Sequence, residues 1–266
     1  MTREVAEELR RAGVTDVDSS TLARALYSSD ASLYRVVPDL VVRPRHRDEL
    51  VAVLEVARGA GLPVTMRGAG TSIAGNAVGP GLVVDCARHL DQVLSLDPER
   101  RRAVVQPGVV HATLQREAAR HGLRFGPDPS THTRCTVGGM IGNNACGSRA
   151  LGYGRTADNV AALTVVLGTG EVLDLPGRDG AAPAALRSLV AAHLGHVRTH
   201  FGRFSRQVSG YSLEHLLPER GARLERFLVG SEGTLGVVLE AEVELVADEP
   251  CRTLLLLGYP AMADAA

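Results

Sequence analysis

The 266-residue chain has no Trp and only 3% aromatic residues, so it lacks the stacked rings on which single-stranded nucleic acid is held. Its 29 basic and 30 acidic side chains leave a net charge of -1, which removes any whole-chain attraction to polyanions. Nucleic acid is therefore excluded as an expected partner. No apolar run reaches the roughly 18 residues that cross a bilayer, so no transmembrane segment is expected. The start, MTREVAEELRRAG, mixes both charge signs and has neither the apolar stretch of a signal peptide nor the acid-poor character of a transit peptide. The expected location is cytoplasmic, at most peripheral to the inner face of the membrane. Four cysteines, Cys86, Cys135, Cys146 and Cys251, contain no CxxC pair, and no HxH pair occurs, so no metal site is expected.

Glycine, in contrast, is abundant at 29 residues. Residues 3–12 predict an amphipathic helix, and Asp18, Ser19 and Ser20 offer caps for a second over Leu22 to Leu26. Apolar runs at Val36-Val37 and Leu40 to Val42 read as strands, Asp48 to Arg58 as a helix stopped by Gly59 and Gly61, and Val64 to Met66 as the next strand. This is a right-handed βαβ unit with a parallel pair. Leu82 to Val84 predicts a strand, Val93 to Leu96 and Ala103 to Gln106 a hairpin, and Val110 to His121 a helix ended by Gly122. Residues 126–154 show almost no periodicity and read as a long functional loop. A second hairpin follows around Gly168-Thr169-Gly170, then a helix over 182–194. Val237 to Val246 alternates apolar and Glu positions as a half-solvated strand, and Thr253 to Leu257 reads as a buried strand.

Two glycine-rich segments carry the chemistry. Arg67-Gly68-Ala69-Gly70-Thr71-Ser72 follows a strand directly; successive glycines let N–H groups converge on phosphate oxygens, with Arg67 and the hydroxyls as further donors. It is neither GxGxxG nor a P-loop, because the third Gly is missing and Asn76 stands where Lys is required. In the second segment, Gly138, Gly139, Gly142 and Gly147 permit close approach to a flat ligand, and Asn143 and Asn144 supply amide donors and acceptors. Neither Ser212 nor Ser231 sits in GxSxG, which excludes the usual serine hydrolase elbow.

Taken in order, RGAGTS, GPDPSTHTRCTVGG, IGNNACGS, YGRTADNV and VGSEGTLGVV resemble the FAD-binding domain of the vanillyl-alcohol oxidase and p-cresol methylhydroxylase flavoprotein superfamily. The nearest branch is that of glycolate oxidase and the D-lactate and D-2-hydroxyglutarate dehydrogenases. The resemblance spans about Tyr34 to Leu245. It implies an α+β fold: a small parallel α/β subdomain, a larger mainly antiparallel sheet with flanking helices, and FAD between them. The implied division is a helical preface over 1–33, the FAD-binding domain over 34–248, and the start of a truncated substrate or cap domain over 249–266.

By the same resemblance, Arg67, Gly68, Ala69, Gly70, Thr71 and Ser72 wrap the diphosphate. Pro127, Asp128, Ser130, Thr136, Val137, Gly138, Gly139, Asn143, Asn144 and Gly147 line the diphosphate, ribityl chain and ring. Gly154 and Val160 close the cleft, while Glu232, Gly233 and Val237 lie by the adenosine end. Some relatives attach flavin through a His that corresponds to Thr71 here, and Cys-linked members carry a different motif from that around Cys135 or Cys146, so the expected FAD is non-covalent. The implied reaction is oxidation of a 2-hydroxy acid by hydride transfer to flavin N5, with electrons passing to a separate acceptor or iron-sulfur module. The substrate domain lies outside this sequence; the alternative is a stand-alone FAD-binding subunit that needs a partner chain. A non-flavin scaffold of the same fold is a third, weaker option. Tyr153, Tyr211 and His132 are weak candidates for substrate chemistry, and no catalytic residue is assigned.

Overall fold

The structure is a computed structural model that describes residues 2–177, 183–204, 209–251 and 253–266. Helix α1 (Thr2–Arg11) buries Val5, Ala6 and Leu9. Strand β1 (Val17–Asp18) is followed by α2 (Thr21–Leu26), whose cap Ser20 accepts from the Ala23 amide at 3.2 Å. Then come β2 (Leu40–Val42), α3 (Arg47–Gly59), β3 (Val64–Arg67) and β4 (Leu82–Asp85). Every residue of β2 and β4 is buried, and each carries a Leu-Val-Val run, with Asp85 ending β4. Helix α3 packs Leu50, Val53, Val56 and Ala57 inward, and the chain leaves it through Gly61 at φ +62°. The sheet order is β1-β2-β4-β3, with β2 and β3 each parallel to β4 and β1 antiparallel to β2. The βαβ unit is thus present, but β4 inserts between its two strands. Val36-Val37 forms no strand: Pro38 has no N–H for a ladder, and Val37 remains 48% exposed.

The larger half begins with the hairpin β5 (Val93–Asp97) and β6 (Arg102–Val105), then α4 (His111–Ala119) and β7 (Leu123–Phe125). The stretch expected as a long loop contains two short helices, α5 (Val137–Asn143) and α6 (Ala150–Tyr153). Helix α5 holds three glycines, yet Thr136 caps it by accepting from the Gly139 amide at 3.2 Å. Tertiary packing overrides the poor helix propensity of glycine here. Strands β8 (Val160–Leu167) and β9 (Val172–Leu175) form the second hairpin. Helices α7 (Ala184–Ala192), α8 (Leu194–His200) and α9 (Leu224–Leu228) precede the long strand β10 (Gly236–Ala247). The sheet order is β5-β6-β10-β8-β9, with β7 also paired to β10, and all these pairs are antiparallel. Strand β10 buries Leu239, Ala241, Val243 and Leu245 while Glu240, Glu242 and Glu244 point outward, as its alternation requires.

One apolar core fills the antiparallel half and a second lies between α1, α3 and the parallel sheet. Val166 of β8 and Leu239 of β10 belong to the second core, so the two sheets share packing. Thr253 to Leu257 is not the expected buried strand. It pairs with no described strand, and Leu254 to Leu257 are 60–91% exposed. A short α10 (Met262–Ala265) follows.

Candidate cofactor site

A cavity of about 360 Å³ opens where the two halves meet, within the size range of small-molecule sites. The parallel half supplies β3, the turn after it, Asn76 to Val78 and Cys86; the antiparallel half supplies Pro107, Pro129, Thr131, Cys135, Thr136, residues 138–143 of α5, Ala145, Val165, Leu228, and residues 231–233 and 236–238.

The turn Gly68–Ser72 lies against this cavity. The amides of Gly68, Ala69, Gly70, Thr71 and Ser72 donate to no described residue, and the turn is partly exposed, so these donors are open to a ligand. Gly70 at φ +65° takes the left-handed conformation the turn needs. A Cβ on Gly68 would sit 2.2 Å from the Thr136 hydroxyl oxygen, so the turn and the cap of α5 touch across the two halves. Ser72 Oγ donates to Asn76 Oδ1 at 2.7 Å and accepts from the amides of Ala74 and Asn76. Asn76 Nδ2 then reaches Glu232 Oε2 at 2.6 Å, which bridges the halves beside the cavity. Glu232 holds φ +53°, unusual for a residue with a side chain, and its amide is fixed by the Gly142 carbonyl at 3.0 Å.

Much of the remaining wall is apolar, formed by Met66, Pro107, Met140, Ile141, Val165, Leu228 and Val238. Such a surface excludes water and accommodates a planar ring, while the unpartnered amides hold anionic oxygens. Two thiols also face the cavity. Burial pushes Cys86 up to about 12, and burial likewise raises Cys135, so neither is a thiolate nucleophile near neutral pH. All four cysteines are free.

Of the residues singled out from sequence, Arg67, Gly68, Ala69, Gly70, Thr71, Ser72, Thr136, Gly138, Gly139, Asn143, Glu232, Gly233 and Val237 line the cavity. Pro127, Asp128, Ser130, Val137, Asn144, Gly147, Gly154 and Val160 do not. Val137 and Val160 are fully buried in the core. Asn144 accepts from the Ala157 amide at 3.0 Å, and Gly147 packs on the Asp128 backbone. Asp128 collects Arg149 at 3.3 Å and Arg124 and His132 at 3.8 Å. Pro127 presents its carbonyl to buried His111 at 2.8 Å. Gly154 at φ +74° abuts Asp158. These residues hold the shape of the long segment. His132, Tyr153 and Tyr211 also lie off the lining; Tyr153 packs under Arg124, and the Tyr211 hydroxyl meets Thr234 at 2.8 Å.

Sequence reasoning missed Asn76 and the apolar wall. Asn76 had a legible signal, a carboxamide closing the glycine-rich turn. Val165 and Leu228 had none, since they reach the cavity only through sheet and helix packing.

Residues 38–176, just over half of the chain, match the family described as FAD binding domain. The glycolate oxidase subunit GlcD of Bacillus subtilis is 34% identical over 97% of this chain and 48% of its own length. The D-2-hydroxyglutarate dehydrogenase of Pseudomonas putida is 33% identical over 98% of this chain and 28% of its own. For the D-lactate dehydrogenase of Archaeoglobus fulgidus the figures are 35%, 85% and 43%. The chain thus spans less than half the length of each of these relatives. An alkyldihydroxyacetonephosphate synthase structure, 22% identical, superposes with a TM-score of 0.69 over 92% of this chain and 40% of its own, a likeness of fold. The cavity between a parallel and an antiparallel half, with its open row of amides, agrees with that match, and the chain belongs to the FAD binding domain family with FAD as its cofactor.

Proposed function

We propose that this chain is the FAD-binding portion of an oxidoreductase acting on a 2-hydroxy acid of the D-lactate, glycolate or D-2-hydroxyglutarate type, with substrate-binding groups supplied outside it. The observation that carries the reading is the run of unpartnered amides at Gly68–Ser72 opening onto an apolar cavity. When bound, FAD supplies the hydride acceptor, its N5. The residues of this chain do the holding: amides and hydroxyls of the turn take the diphosphate, and the wall of Met66, Met140, Ile141 and Val165 excludes water from the ring. Glu232, Gly233 and Val237 line the same cavity from the β10 side and support its assignment to the adenosine end.

The cofactor is dissociable in this reading, supported by Thr71 at the turn and by the protonated thiols of Cys86 and Cys135. A visible spectrum of the purified protein, with identification of the released cofactor, tests both points. Acid precipitation should leave the yellow colour in the supernatant; colour in the pellet refutes dissociable FAD, and a colourless protein that takes up no FAD refutes the functional reading. Little turnover of the three hydroxy acids is expected from this chain alone, and robust turnover would overturn that.

The exposed run Leu254 to Leu257 favours a second reading of the arrangement, in which a partner chain covers it and completes the site. An electron acceptor or iron-sulfur module belongs to the same proposal. Among the described residues no helix is long and apolar enough to cross a membrane, and a cytoplasmic place, at most peripheral to the inner membrane face, is the location we infer.

A further inference from the structure

Arg67 ends β3 and begins the glycine-rich turn, where its sequence position marks it as a phosphate donor. Its guanidinium nitrogen Nη1 is engaged away from the turn. Nη1 donates to the Ser29 carbonyl at 2.9 Å and the Ala77 carbonyl at 3.1 Å, with the Tyr27 carbonyl at 3.5 Å. Its Cζ lies 5.1 Å from the centre of the Tyr27 ring, the ring that Arg43 also approaches at 5.3 Å. The Tyr27 hydroxyl is held by Asp85, so the ring is fixed from the far side as well. The turn folds over this guanidinium: a Cβ on Gly70 would fall 2.6 Å from Arg67 Nη2. The Gly70 carbonyl in turn accepts from the Ala31 amide at 3.0 Å.

We infer that Arg67 is a positioning residue for the FAD diphosphate: it ties the Gly68–Ser72 turn to the 27–31 segment and to Ala77, and the backbone amides, rather than the guanidinium, grip the phosphates. The inference rests on the FAD reading above. One guanidinium nitrogen bonds the Ser29 and Ala77 carbonyls while the guanidinium lies against the Tyr27 ring; the ammonium of lysine keeps the charge and can donate, but it has no plane to lay on that ring. A phosphate-gripping role would put the emphasis on charge, and lysine would then substitute well.

The test compares R67K, R67Q and Y27L with the wild type, using FAD affinity from flavin fluorescence at low and high salt, and amide hydrogen exchange of the cofactor-free proteins. Expected are losses of about tenfold or more in FAD affinity for R67K and R67Q alike. Both variants should keep the wild-type salt dependence, and the amides of Ala31 and Ala77, bonded to the Gly70 carbonyl and to Asp30, should exchange faster. Y27L, which is not itself part of the cavity lining and meets it through Arg67, should also weaken FAD binding. The inference is overturned if R67K binds like the wild type while R67Q loses both affinity and salt dependence, or if Y27L binds FAD unimpaired. Should an Arg67 variant fail to fold, Y27L decides. A wild-type chain that takes up no FAD refutes the functional reading instead, and the exchange rates still show whether Arg67 ties the turn.

Discussion

In the turn Gly68–Ser72, which lines the cavity, the amides have no acceptor among the described residues, whereas at the start of α5 the amides of Val137, Gly138 and Gly139 donate to Val109, Pro107 and Thr136. Both stretches line one cavity and both are rich in glycine. In the turn, glycine permits a left-handed bend at Gly70 and keeps N–H groups open. In the helix it permits contact: a Cβ on Gly138 would lie 2.7 Å from the Pro107 carbonyl oxygen. Glycine content therefore does not identify an anion nest; the fate of the amides does.

The sharpest way to break this comparison is at Gly147, where a Cβ would fall 1.7 Å from the Asp128 carbonyl oxygen. G147A should lose about 3 kcal/mol or more of stability, because backbone meets backbone and neither yields. Denaturant unfolding measures it, and a variant as stable as the wild type would remove Gly147 from the packing role given to it.

The halves should also separate by pH. Burial, and then the neighbouring Arg155, lowers buried His215 in the antiparallel half to about 4, from an ordinary 6.5. The unfolded chain binds that proton first, so the stability from neutral His215 is complete above pH 6.5 and is lost as pH falls toward 4. The loss amounts to roughly 3 kcal/mol at most. In the parallel half, burial works against Asp30, but hydrogen bonds from Ser32 and Ala77 hold its carboxyl below the ordinary range. Its contribution persists through mild acid and fades only as pH drops through the carboxylate range. Urea unfolding at neutral and mildly acidic pH, repeated on H215Q, should show the mild-acid sensitivity reduced in the variant, the remainder coming from His111, which burial also lowers.

A paired substitution sharpens the contrast further. G68A meets the Thr136 hydroxyl at 2.2 Å and should lower FAD affinity by more than it lowers stability, the latter by about 1–3 kcal/mol. G138A should do the reverse, with melting temperature reporting the loss and FAD titration little changed in the fraction that folds. If both substitutions damaged affinity equally, the division between open and engaged amides would fail.

The smallest effect belongs to the bridge between halves. The Asn76–Glu232 hydrogen bond is exposed, so N76A should cost about 1 kcal/mol or less. N76A and E232Q should be non-additive in a double-mutant cycle on FAD affinity; simple additivity would mean that the bridge does not form in solution.

Much of the fold was legible because its signal is local. The Leu-Val-Val runs of β2 and β4, the alternation of β10 and the Ser20 cap each follow from neighbouring residues and the periods of strand and helix. Helix α5 was hidden, since Gly138, Gly139 and Gly142 argue against helix and only packing on Pro107 and capping by Thr136 supply its stability. Of the site, the turn 67–72 was legible as a motif. The direction of Arg67 was not, because its acceptors lie about 10 and 38–40 residues away along the chain.

The sequence by itself determined the two glycine-rich segments, a βαβ unit followed by hairpin strands and the absence of a nucleotide fingerprint of the common kinds, because these depend on residue type and short spacing; the α+β fold class came with the family resemblance. The tertiary structure alone decided which glycines open amides and which close gaps, that β4 would split the βαβ pair, and that Val165 and Leu228 would wall the cavity. Those outcomes depend on which surfaces meet when the two cores pack, and no local period encodes that meeting.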